Sequence, residues 1–111
     1  MKTDNLIKAY QIPTNSILYK YSNPKAVQRR AYVYLGKDAV VYKSTNQHKK
    51  YMIHDPHNNR WVHFGQLGYE DFTKHKNLDR RNNYLIRSAS IAGDWKTNKY
   101  SPNNLSRNIL W

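Results

Sequence analysis

The sequence predicts an α+β protein: a small three-stranded antiparallel sheet over about residues 38–65, packed by one helix before it (24–35) and three after it (70–76, 78–91 and 102–110). Three observations point there. Short runs rich in Val, Ile and Tyr recur mid-chain with turn formers between them. Pro, Asn and Gly punctuation brackets a helical stretch ahead of them. From Tyr69 onward the apolar spacing becomes helical.

Taken in order, residues 1–22 carry no clean period and read as an extended arm anchored by Ile17, Leu18, Tyr19 and Tyr21, ahead of a single domain over 23–111. In "NPKAVQRRAYVYLG", Asn23 suits a helix cap, Pro24 the first turn and Gly36 the residue after the last turn. Val27, Ala31 and Tyr34 or Leu35 then share a face, with Arg29 and Arg30 away from it. The β-branched and aromatic "AYVYL" leaves a strand as the competing reading. "DAVVYKS" (38–44), "KKYMIHD" (49–55) and "RWVHFG" (60–65) have strand length, and "DPHNN" between the last two is a turn. In the third strand Val62 and Phe64 fall on one side, Trp61 and His63 on the other.

Asp71 or Glu70 suits the N-terminus of a short helix whose other end carries Lys74, His75 and Lys76, charges placed to complement the helix dipole. On a wheel of 78–91, Leu78, Leu85 and Ala89 gather with Ile86 alongside; Arg80 and Arg87 stand opposite, with Tyr84 near them and Arg81 toward the side. Gly93 reads as a stop. Ser101 and Pro102 then open a last helix in which Leu105 and Ile109 form an apolar pair.

Charge is the strongest global signal. Nineteen Lys and Arg stand against seven acidic residues, a net charge of +12 in 111 residues, which points to a polyanionic partner. The Lys-, Asn- and Tyr-heavy usage also suits an AT-rich genome, which raises lysine counts without a functional cause. Lys49, Lys50, Arg60, Lys74, Lys76, Arg80, Arg81 and Arg87 are the candidate polyanion contacts. Trp61, Phe64, Gly65, Gly68, Tyr69, Trp95 and Trp111 are read as structural or interface anchors, because only 39% of the residues are hydrophobic and the rings are needed to fill a core.

The chemistry-bearing residues are better explained by structure than by catalysis. With no cysteine in the chain, disulfides and thiolate metal sites are excluded. His54, His57, His63 and His75 match no metal spacing, so neither metal nor cofactor is expected. Adjacent Glu70 and Asp71 point in different directions and do not flank a substrate bond. Gly65-x-x-Gly68 lacks the Lys-Ser/Thr helix start of a phosphate loop, and its aromatic setting favours tight turning over a nucleic-acid clamp. No enzyme and no small-molecule substrate are expected. The N-terminal "MKTDNLIKAY" lacks a signal peptide's apolar run and no stretch approaches a membrane span, so a soluble, intracellular or packaged protein is expected.

The segments "KKYMI", "WVHFGQLGYEDFTKHK" and "RRNNYLIRSASIAGDWKTNKYSPNNLSRNILW" resemble a family of small basic proteins of unknown function encoded by nucleocytoplasmic large DNA viruses. The resemblance runs from about Asp38 to Trp111 and implies a viral origin and packaging in the virion; it carries no catalytic residues to transfer. Two functions follow as expectations. The first is a non-enzymatic virion structural protein, a minor capsid or cement component assembled in the host cytoplasm and contacting other virion proteins. The second is a nucleic-acid-binding protein, with DNA as the partner, for genome condensation or transcription.

Overall fold

The computed structural model describes residues 5–111, and its architecture is α+β. A short helix α1 (Leu18–Tyr21) and the longer α2 (Pro24–Leu35) precede a three-stranded meander of β1 (Val41–Lys43), β2 (Lys49–Asp55) and β3 (Arg60–Gln66). Three helices follow: α3 (Phe72–His75), α4 (Leu78–Ser88) and α5 (Pro102–Leu105), the last continued by a π-helical segment, Ser106–Leu110.

The punctuation around α2 acts as its residue types dictate. The Asn23 side chain accepts from the Ala26 amide, Pro24 occupies the first turn, and Gly36 leaves the helix at φ +113°. The helical reading of "AYVYL" therefore prevails over the strand, since Val27 and Ala31 are buried at one-turn spacing. The strands pair antiparallel in the order β1-β2-β3, with Val41 opposite Ile53 and Ile53 opposite Val62. Tyr51 lies opposite Phe64 on the same face, and these residues form the sheet's contribution to the core. Asp55 builds the β2–β3 turn: its carboxylate accepts from the amides of His57 (2.9 Å) and Asn58 (3.3 Å) and from the Asn58 side chain (2.8 Å).

The other side of the core is helical. Leu105 and Ile109, the expected apolar pair, are both fully buried, with Leu110 beside them and Ser101 capping their helix. Each such side chain contributes about 1.5–3 kcal/mol on leaving water. Gln28 on α2 reaches the sheet edge, donating to the Ala39 carbonyl (2.7 Å) and accepting from the Val41 amide (2.8 Å).

Two expectations are corrected. Residues 1–22 were expected as an extended arm. Residues 1–4 lie outside the described residues, but residues 5–22 fold onto the domain, burying Ala9, Ile12 and Leu18 in the common core. The Lys43 amide donates to the Ile7 carbonyl (2.8 Å) and Lys8 bridges to Tyr42, so this segment covers the free edge of β1. These links are long-range and leave no local period to read.

The second correction is the setting of α4. It ends at Ser88, short of Ile91, and of its gathered apolar side chains only Leu85 turns inward: Leu78 is 70% exposed, Ile86 66%, and Ala89 is exposed as well. The inward side carries Arg81, Tyr84, Leu85 and Ser88. The C-terminal segment explains the choice, because it offers polar and aromatic partners rather than an apolar shelf. The Arg107 guanidinium donates to the Leu85 carbonyl (2.6 Å) and to the Ser88 hydroxyl, Arg81 Nε donates to the Trp111 main-chain oxygen (2.6 Å), and Tyr84 stacks on Trp111.

Candidate functional site

Where β3 turns toward α3, the chain must pass close to the C-terminal segment. Gly65, at φ +82°, makes that approach possible: a Cβ there would meet Leu110 Cδ1 at 2.8 Å and Lys50 Cβ at 3.2 Å. Gly68, at φ +105°, turns the chain again in open space and swings Tyr69 outward, 69% exposed. Between this loop and α4 lies a groove of about 530 Å³, within the ~300–1,000 Å³ span of small-ligand clefts. Gly65, Gln66, Tyr69 and Glu70 form one side; Arg80, Asn83, Tyr84 and Arg87 form the helical side. Leu110 and Trp111 close it from the C-terminal segment.

The helical side follows from spacing. Arg80, Asn83, Tyr84 and Arg87 recur at three, four and seven residues, so they share one stripe of α4. Asn77 caps the helix by accepting from the Arg80 amide (3.1 Å). Tyr84 and Trp111 are parallel, with ring centroids 4.3 Å apart and an interplanar angle of 8°. Burial pushes the Tyr84 hydroxyl's pKa upward, so the phenol stays neutral. Arg87 lies 5.8 Å over the Tyr84 ring, and Arg80 is bonded at 3.1 Å to Glu70, a pair exposed to solvent on both sides.

Beneath the loop is a buried ionic knot. Lys50 Nζ donates to Asp71 Oδ2 at 3.0 Å, and both side chains are almost wholly buried. Asp71 also accepts from the Thr73 amide (3.0 Å) and hydroxyl, which is the expected cap of α3. Thr73 in turn meets the Ser22 hydroxyl (3.2 Å), which accepts from Tyr51 (2.7 Å). The Asp71 amide donates to the Tyr21 carbonyl (3.0 Å), tying α1, β2 and α3 together. Desolvation lowers the Lys50 pKa, while the charge of Asp71 acts in the opposite sense.

The eight candidate cations thus fall into separate settings. Arg80 and Arg87 border the groove. Lys50 is corrected: at 3% exposed and locked to Asp71 it is an internal structural cation, not a polyanion contact. Arg81 is turned inward, bonded to Trp111 and 5.7 Å over the Phe72 ring. Lys74 and Lys76 are exposed at the end of α3, outside the groove lining, and Lys49 is half-buried opposite Gln66. Arg60 is exposed at the far end of β3 from Gln66.

Of the aromatic anchors, Phe64 is in the core and Trp111 packs against it. Trp61 is half-buried on the sheet's second face, edge-on to Tyr42 (5.4 Å) and His54 (5.6 Å). Trp95 is half-buried beneath Arg107, whose guanidinium lies 4.8 Å from the ring centroid. Tyr69, read as a structural or interface anchor, is not part of the core: it stands out in solvent over the groove, where Gly68 leads the chain away from the core.

The histidines make protein contacts: His63 Nδ1 pairs with Ser44 Oγ (2.7 Å), His54 Nε2 with Asn59 Oδ1 (3.0 Å), and His75 Nδ1 accepts from the Asn77 amide (2.9 Å). Among the described residues, no three His, Asp or Glu side chains stand together as a metal-binding group, and no helix is long and apolar enough to cross a membrane. Sequence reasoning missed Glu70 as the partner of Arg80, Asp71 as the partner of Lys50, and Arg107 as the tie between α4 and the C-terminal segment. These are tertiary pairings over 10, 21 and 22 residues, and no local signal announces them.

Residues 39–88 match the model of a family described as a family of unknown function (DUF5754). The matched stretch runs from just before β1 to the end of α4 and so includes both long walls of the groove, but not the C-terminal residues that close it. No curated protein and no solved structure matches the chain.

Proposed function

We propose that the protein is a non-enzymatic nucleic-acid-binding protein, carried as a basic structural component of the particle of a large DNA virus. The observation that carries the nucleic-acid reading is the balance of charge. The sequence holds a net +12, and the described residues contain only two ion pairs, of which one is internal. Most of the described lysines and arginines therefore have no ion-pair partner among the described residues, and such a field attracts phosphate chains. Arg80 and Arg87, on one stripe beside exposed and stacked rings, give that attraction a place to focus.

Fluorescence anisotropy with a labelled oligonucleotide over a salt series tests this. Binding is expected at low salt, weakening steeply as salt rises, with the log–log slope reduced by about one for each phosphate-contacting arginine changed to Ala. Absence of binding to any DNA or RNA at low salt overturns the reading.

A role in the particle rests on the sequence resemblance and on apolar side chains that the fold leaves in water. Val33 on α2 is 89% exposed, and Leu78 and Ile86 stand out from α4. Apolar groups so placed suit contact with other proteins of a particle. Mass spectrometry of purified particles after salt stripping should recover the protein in stoichiometric amount; recovery from infected-cell extract alone removes this part of the proposal.

A further inference from the structure

The geometry points to the groove between the Tyr69 loop and α4 as the seat of a single unstacked nucleobase, which makes the preferred polyanion a single strand. This rests on the nucleic-acid reading above and adds to it the form of nucleic acid and the manner of its recognition.

Three features separate a base-binding groove from a patch of positive charge. First, rings line a concavity rather than a flat surface. Tyr69 stands 69% exposed on one side, and the Tyr84–Trp111 stack forms part of the other. A base inside a duplex has both faces covered by its neighbours and cannot enter between such walls. An unstacked base can, and stacking on an aromatic side chain is tolerant of which base it is.

Second, the polar groups in the groove do more than attract phosphate. Glu70 is an acceptor only, and Asn83 both donates and accepts. A site made for phosphate alone gains nothing from a carboxylate. The edge of a base carries N–H donors as well as acceptors, and that edge is what Glu70 and Asn83 complement. The Glu70–Arg80 pair is exposed and so exchanges readily: Arg80 can turn to a phosphate while Glu70 accepts from the base.

Third, the arginines flank the rings. Arg80 and Arg87 are seven residues apart on α4, about 10 Å along the axis, with Tyr84 between them. Two long guanidinium arms so placed reach the backbone on either side of one inserted base. The floor does not yield, because Gly65 packs directly on Lys50 and Leu110 and the Lys50–Asp71 pair is internal. The Tyr69 loop, by contrast, has open space at Gly68 and leaves the Tyr69 ring exposed on the rim of the groove.

The test uses the full chain with a short single-stranded DNA, the RNA of the same sequence, the DNA duplex of the same length, and the single strand with its central bases removed, all at one low salt. The single strands, DNA or RNA, are expected to bind at least roughly ten-fold more tightly than the duplex and the abasic strand, in line with the 5- to 150-fold that one stacked base is worth. Tyr69→Ala should lower single-strand affinity by a similar factor and leave duplex affinity unchanged, while Tyr69→Phe should restore it. Tyr69 is exposed, so its replacement leaves the fold intact, checked by an unchanged urea midpoint.

Equal binding of all four nucleic acids, with no effect of Tyr69→Ala, overturns the base-binding inference and leaves the nucleic-acid reading standing as charge alone. Failure of all four to bind overturns both. Displacement of the single strand by polyglutamate at equal charge concentration also overturns the inference, since it shows a preference for acidic protein.

Discussion

Lys50 and Arg87 line the same groove from opposite sides and carry the same charge, yet they do different work. Lys50 lies beneath the Tyr69 loop with its ammonium 3.0 Å from the Asp71 carboxylate, out of water, where its charge is spent on holding β2 to α3. Arg87 stands on the outer stripe of α4 with the Tyr84 ring as its neighbour and, among the described residues, no carboxylate within ion-pair distance. Burial decides the difference. A buried charge must be paired and therefore becomes part of the scaffold, whereas an exposed one remains available to a partner. In this molecule one wall of the groove is fixed by ionic structure and the other offers charge outward.

The comparison breaks most visibly at Lys50. Replacing it with Met leaves the Asp71 carboxylate buried without its counter-charge, at an expected cost of about 3–5 kcal/mol. The same change at Lys49, half-buried and without an acidic partner among the described residues, should cost under about 0.5 kcal/mol. Adding Asp71→Asn to Lys50→Met should recover part of the loss, because Asn removes the charge and still caps α3. Urea unfolding of the four proteins measures this, and equal midpoints for the two single lysine variants would show that the internal pair does not hold the wall.

The two glycines of the loop sharpen the contrast between a tightly packed floor and an open rim. Gly65→Ala combines a left-handed backbone with a Cβ pressed against Leu110 and Lys50, an expected cost of about 2–4 kcal/mol. Gly68→Ala meets nothing, so backbone conformation alone applies and the cost should be about 1–2 kcal/mol. A larger loss at Gly68 than at Gly65 would reverse the assignment of floor and rim.

How much of this was written in the chain depends on the range of the interaction. Asn23, Pro24 and Gly36 announced α2 because each acts on its own backbone, and the three strands were readable from their length and their β-branched and aromatic residues. Asp71 was legible as a cap for the same reason, but not as the partner of Lys50. The wheel of α4 showed its apolar residues and its arginines on opposite sides, and nothing local to the helix says which side packs inward. Only the arrival of Arg107 and Trp111 from the far end of the chain chose between them. The segment 5–22 makes only short helical turns of its own, and what fixes it to the domain are distant bonds to Tyr42, Lys43, Tyr51, Asp71 and Thr73, which leave no local pattern to read. Arg80, Tyr84 and Arg87 were grouped correctly on the wheel, but a wheel cannot say that the Tyr69 loop faces them.

On the outward wall, effects on stability should be small and effects on binding should not. Arg87→Ala removes an exposed guanidinium, so the unfolding free energy from a urea titration should change by less than about 0.5 kcal/mol. The salt slope of nucleic-acid binding should nevertheless fall by about one. Arg81→Ala is the informative companion, because that guanidinium is bonded to the Trp111 main chain and stacked on Phe72. It should destabilise the fold more than Arg87→Ala and change the salt slope less. If both arginines behaved alike in both measurements, the division of α4's arginines into inward and outward cations would fail.

The smallest expected effect concerns His75, at the end of α3. Its ring packs against Phe72 and Trp111, its Nδ1 accepts from the Asn77 amide, and its Nε2 is buried without a protein partner among the described residues. Desolvation lowers its pKa, the charges of Arg80 and Lys50 act in the same direction, and Glu70 and Asp71 oppose them. A folded-state pKa below the unfolded value of about 6.5 means that the unfolded chain binds the proton first on acidification. The stability linked to His75 is therefore present in full above that value and is lost as pH falls through the folded pKa. Unfolding midpoints measured between about pH 7.5 and about pH 5 should decline less in His75→Phe, which keeps a ring against Trp111 and removes the titration. A decline as steep in the variant as in the parent would place the acid sensitivity elsewhere and leave His75 as packing alone.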